Sequence, residues 1–161
     1  MGGKRVAVGR ASFGVAVAAL AVGLSSLLPL PAGAQPGTSF FTLTPCRVYD
    51  TRWGAGPLAG GFDRWLPVGG YCGIPPDASA GTFNFTAINP NGTVLLSAYP
   101  CCALRSNVLV SVKTGKPQAG FGVLGLGTGG QLGTYLDAPF STTTDLAVDI
   151  TGYFRPPAPV Q

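Results

Sequence analysis

Glycine and proline supply 25 and 15 of the 161 residues, one position in four, and beyond residue 35 they rarely leave more than a strand's length of chain uninterrupted. Each glycine inside a helix costs about 1 kcal/mol and each proline about 3 kcal/mol relative to alanine. Long helices are therefore excluded. The runs between these breaks are short and alternate apolar with polar residues, the signature of half-buried strands in a sandwich or barrel. Strands are expected at 39–43, 47–51, 64–68, 81–88, 93–99, 107–113, 120–124, 131–137 and 144–153. The predicted fold is a single all-β sandwich, jelly-roll or immunoglobulin-like, with eight or nine strands.

The alternation fixes inward faces. Leu146, Val148 and Ile150 share one side of their strand, and Asp145, Ala147, Asp149 and Thr151 share the other, because successive strand residues point to opposite faces. Val108, Val110 and Val112 repeat the pattern, as do Phe83, Phe85 and Ala87. Asn89-Pro90-Asn91-Gly92 lies between two strands, and Asn-Gly is a strong short hairpin signal. It predicts that 81–88 and 93–99 pair with each other. The glycine-rich stretch 116–133 carries Phe121, Val123, Leu124, Leu126 and Leu132. It is too apolar for a linker, and its glycines are expected at bulges or close backbone approaches.

The formal net charge of +4 is unevenly placed. Lys4, Arg5 and Arg10 precede an apolar run over 11–30 and then Ala32-Gly33-Ala34. A basic start, an apolar middle and a small-x-small site read as a cleaved secretory signal over 1–34, with Gln35 as the new N-terminus. The sandwich then spans 35–154, and a proline-rich tail follows over 155–161. Residues 35–161 hold seven basic and six acidic side chains. No basic stripe points to nucleic acid, and no further membrane segment follows the signal.

Histidine is absent and every acidic residue is aspartate, which removes catalytic arrangements built on an imidazole proton shuttle. Asp50-Thr51 resembles half of an aspartic-protease site, but that chemistry needs two carboxylates sharing a proton, and Arg52 beside Asp50 favours the ionised form. A structural turn with a local ion pair is expected. Asp145 and Asp149 lie about 13 Å apart on one strand face and read as outward, solubilising charges. Two Gly-x-Gly-x-x-Gly matches, at 120–125 and 125–130, lack the following helix that a dinucleotide site requires. Asn84 and Asn91 head glycosylation triplets, and Asn84 falls inside an expected paired strand. No catalytic residue, metal or cofactor is expected.

All four cysteines lie beyond the signal, where disulfides persist. Cys46–Cys72 is the expected bridge. The adjacent Cys101-Cys102 leaves three outcomes open: a vicinal bond, two free thiols, or a cross-link to another chain. Trp53, Trp65, Tyr71, Tyr99 and Tyr135 are candidate ligand or interface aromatics.

Several blocks resemble a domain of secreted and cell-surface bacterial proteins with a Pro-Cys-Arg…Asp-Thr-Arg start and an Asp-x-x-Gly-Tyr-Phe end. They are Pro45-Cys46-Arg47 with Asp50-Thr51-Arg52, Cys72-Gly73-Ile74-Pro75, Asn84-Phe85-Thr86-Ala87, Tyr99-Pro100, and the run Asp145 to Phe154. Cys101-Cys102 and the glycine-rich stretch depart from the pattern. The resemblance implies attachment or binding rather than catalysis. Near-neutral surfaces favour association, so the expected role is a secreted structural or adhesive protein. It would associate with itself, through 39–43 adding to a neighbour's sheet, or with the cell surface. The alternative is a carbohydrate- or wall-binding module.

Overall fold

The computed structural model describes residues 37–105 and 108–157. The export signal assigned to 1–34 lies outside the described residues, as do Gln35, Asn107 at the start of one expected strand, and 158–161 of the tail. Nine strands are present among the described residues: β1 (Ser39–Asp50), β2 (Leu58–Ala59), β3 (Asp63–Pro67), β4 (Ala80–Ile88), β5 (Val94–Pro100), β6 (Val108–Val112), β7 (Gln118–Gly125), β8 (Gln131–Asp137) and β9 (Thr143–Arg155). The one helical element among the described residues is a 3-10 turn, Thr51–Trp53.

The antiparallel pairs are nested along the chain. β5 pairs with β6, β4 with β7, β3 with β8 and β1 with β9. Rolling this long hairpin on itself gives one sheet in the order β1-β9-β4-β7, with β2 added to β9, and a second in the order β3-β8-β5-β6. This is the jelly-roll form of the expected sandwich.

The expected hairpin between 81–88 and 93–99 does not form. β4 and β5 belong to different sheets, and β4 is flanked on its two edges by β7 and β9. Asn91 explains the difference. Its backbone N–H donates to the Thr143 carbonyl (3.1 Å), and its Oδ1 accepts from the Thr143 N–H (2.7 Å). Positive φ falls on Asn89. The segment thus turns the corner from one sheet to the other and is clamped to the start of β9. The expected strands 39–43 and 47–51 are largely one strand, β1, with irregularities between Thr42 and Cys46 and between Arg47 and Tyr49. Ser39–Thr42 pairs with Gly152–Arg155 of its own chain.

The inner faces hold Phe83, Phe85 and Ala87 from β4, Leu146, Val148 and Ile150 from β9, and Leu96, Leu132 and Leu136 from the second sheet, all fully buried. Val110 and Val112 join them, but Val108 is exposed. A bulge brings Val108 opposite Ser97 while Val110 faces Leu96, which turns Val108 to the outer face. Ala147, expected outward, is buried, between Asp50 on β1 and Thr86 on β4. Gly120 marks a close approach, because a Cβ there would stand 2.5 Å from the Leu109 carbonyl oxygen of β6.

Candidate functional site

Asp50 ends β1 and caps the 3-10 turn, accepting from the Arg52 backbone N–H at 3.1 Å. Arg52 folds back on it, with Nε 2.8 Å from Oδ1 and Nη2 2.6 Å from Oδ2. Arg47, three residues earlier, adds Nη1 at 3.1 Å. The carboxylate is 1 % exposed. The hydrogen bonds from Arg52 outweigh the cost of burial and hold its pKa at about 2.

The outward aspartates of β9 belong to the same network. Arg47 also grips Asp149 with two hydrogen bonds, of 2.9 Å and 3.1 Å. The Thr51 hydroxyl donates to Asp145 (2.9 Å) and accepts from the Leu146 N–H (3.0 Å). Asp145 and Asp149 are therefore clamps that hold the turn after β1 onto β9, more than solubilising charges. Thr51→Val removes this donor and leaves a buried amide without its acceptor, which costs about 1–3 kcal/mol. Urea denaturation should show that loss, and Thr51→Ser should restore most of it.

A second cluster covers the outer face of the β3-β8-β5-β6 sheet. Asp63 on β3 faces Tyr135 on β8, and Trp65 faces Gly133, which in turn faces Tyr99 on β5. A Cβ on Gly133 would fall 2.4 Å from the Trp65 ring and 2.5 Å from the Tyr99 ring, so glycine here lets the two rings meet, edge to face, at 6.1 Å. The Tyr99 hydroxyl donates to Asp63. Arg105 donates to both Asp63 oxygens and lays its guanidinium 3.8 Å over the Tyr135 ring. The Arg105 hydrogen bond lowers the Asp63 pKa. Burial, then the bond to Asp63, pushes Tyr99 up to about 12.

The acceptors and one ring face of this cluster are thus engaged within the chain. Trp65, 47 % exposed, is the aromatic of this cluster left most open to solvent. Trp53, in the 3-10 turn, and Tyr71, in the loop after β3, are exposed. Three of the five candidate aromatics converge. Asp63 and Arg105 were not among the sequence candidates, because one aspartate and one arginine 42 residues apart carry no local signal.

The four outermost strands differ in their protection. β1 has Pro45, Arg47 and two irregularities, and β3 has Asp63, Arg64 and Pro67. Charge, proline and bulges are the usual devices against edge-to-edge pairing. β6 is short and uncharged. β7 is eight residues long, carries no charge or proline, and pairs with β4 without a bulge. Its outer face shows Phe121 (64 % exposed) and Val123 (56 % exposed). Gly120-Phe121-Gly122-Val123 was the visible signal. Its glycines face inward against β6, and its large residues face water.

Cys46 and Cys72 form a disulfide with a Cα separation of 6.0 Å. Cys101 and Cys102 are unbonded, with their sulfurs 2.9 Å apart. No cleft or cavity forms among the described residues. A comparison with protein-family models finds no match, and neither does one with curated protein sequences.

Proposed function

We propose that this protein is a non-catalytic structural module of the bacterial cell surface that associates with further copies of itself through the β7 edge. The observation that carries this reading is the contrast between protected β1 and β3 and unprotected, apolar β7. Two β7 strands pairing antiparallel about a two-fold axis would join two four-stranded paths into one continuous sheet, an interface that closes on itself. Charge does not oppose it. Arg47, Arg52, Arg105 and Arg155 pair with Asp149 and Asp50, Asp50, Asp63 and Asp77 respectively, and Arg64 is spent on the Ala55, Gly56 and Pro57 carbonyls. Lys113, Lys116, Asp137 and Asp145 form no ion pair among the described residues, but all four lie outside β7, which itself carries no charge to keep copies apart. The disulfide and the secretory pattern of 1–34 support a place outside the cytoplasm.

Sedimentation velocity over a concentration series tests the reading. The exported protein should shift from monomer to larger species as concentration rises. Phe121→Lys should keep it monomeric and leave its thermal midpoint nearly unchanged, since exposed substitutions shift stability by about 0.5 kcal/mol or less. A parent that stays monomeric throughout, or a variant that assembles equally well, would overturn it.

A second reading has one observation of its own. Trp65 stands exposed beside the Asp63–Arg105 pair, an apolar ring next to hydrogen-bonding groups, as a sugar or wall polymer would require. A peptidoglycan and polysaccharide pull-down weakened by Trp65→Ala would favour it.

A further inference from the structure

Cys101 and Cys102 form a turn at the end of β5. The Ala103 N–H donates to the Pro100 carbonyl (3.1 Å), which closes the turn. Cys102 occupies its third position with φ 68°, where glycine is the usual residue. The turn is anchored on the Cys101 side. The Cys101 N–H donates to the Gln131 carbonyl at 3.1 Å, and Gly127 lies so close that a Cβ there would be 2.2 Å from the Cys101 oxygen. The two sulfurs are thereby held 2.9 Å apart, closer than unbonded sulfurs in ordinary contact. Cys101 is half-buried and Cys102 is exposed.

We infer that Cys101-Cys102 is a redox site that closes reversibly into a vicinal disulfide within one chain, rather than a bridge between chains. Each thiol already has its nearest sulfur partner on the neighbouring residue, and a partner chain would have to compete with that proximity. The oxidant is a disulfide, either an oxidised small thiol or an exported thiol–disulfide oxidoreductase. The exposed Cys102 thiolate attacks one oxidant sulfur and expels the first thiol. Cys101 then gives up its proton, attacks the Cys102 sulfur of the mixed disulfide and expels the second. One S–S bond forms in the chain, one breaks in the oxidant, and two electrons and two protons pass to the two released thiols. Adjacent Cα atoms lie about 3.8 Å apart, below the usual range of about 4.4–6.8 Å for disulfides, and such deviation makes a bond more reducible. Cys46–Cys72, with 6.0 Å between its Cα atoms, lies inside that range. The turn also leads to Arg105, so ring closure stiffens the segment that sets Arg105 against Asp63 and Tyr135.

The test labels the full protein with N-ethylmaleimide under denaturing, non-reducing conditions after exposure to oxidised glutathione. The expected product takes up no label, runs as a monomer, and yields a peptide spanning Cys101 and Cys102 that is lighter by two hydrogens. Titration with dithiothreitol should then expose these two thiols at a concentration about tenfold or more below that needed for Cys46 and Cys72. Cys102→Ser should instead retain glutathione on Cys101. Two labels on Cys101 and Cys102 after oxidation, a stable glutathione adduct on the parent protein, a covalent dimer, or reduction in the opposite order would each overturn the assignment.

Discussion

Replacing both Cys46 and Cys72 by serine is expected to remove about 3.5 kcal/mol of folding stability in the chain-entropy description of a disulfide, for a bridge that spans a sequence separation of 26. Cys46 follows the first irregularity of β1, where regular pairing with β9 lapses. Cys72 sits in the loop after β3, which is bonded back through Val68 and Gly69 to the Gly130 carbonyl. The bridge therefore ties the edge of one sheet to the end of the other on the side where β1 and β3 meet. In a domain of this size such a loss lowers the thermal midpoint by roughly 10 °C or more. Non-reducing thermal denaturation of parent and variant measures it. A shift of only a degree or two would mean that the sheets hold this corner without the bridge.

Asp50→Asn should cost about 3 kcal/mol, the lower end of the range for breaking a buried ion pair, because both arginines keep part of their contact with water. The same carboxylate sets an acid limit. Its pKa falls from 3.8 in the unfolded chain to about 2 in the fold. A depressed carboxylate contributes stability that is complete above its unfolded pKa and is lost as pH falls through the folded one. The contribution is roughly 2 kcal/mol, present above about pH 4 and gone below about pH 2. Asp63, also depressed, adds in the same direction. Urea midpoints measured from pH 5 to pH 2 should fall for the parent and fall less for Asp50→Asn. Parallel curves would show that Asp50 titrates alike in both states.

The legible parts of the sequence were those governed by local periodicity. Leu146, Val148 and Ile150 alternate cleanly, and they are buried. The expected Cys46–Cys72 bridge is present. Sheet membership was not legible, because Asn-Gly suits a hairpin and a corner alike, and the choice rests on Asn91 reaching Thr143, 52 residues away. Val108 failed for a similar reason: a bulge is set by the partner strand, and one extra residue reverses a face. At the site, Asp50 and Arg52 are neighbours and could be read as a pair. Their tie to Asp145 and Asp149, and the meeting of Asp63 with Tyr99 and Arg105, needed the nested pairing of the whole chain.

The most direct test of the proposed association is backbone hydrogen exchange along β7 as a function of protein concentration. If β7 is the edge that receives a second copy, amides within Gln118–Gly125 should gain protection as concentration rises. Those of Ser39–Thr42 on the opposite edge of the same sheet should exchange at an unchanged rate. Protection that does not vary with concentration along β7, or that grows first on β1, would contradict the account.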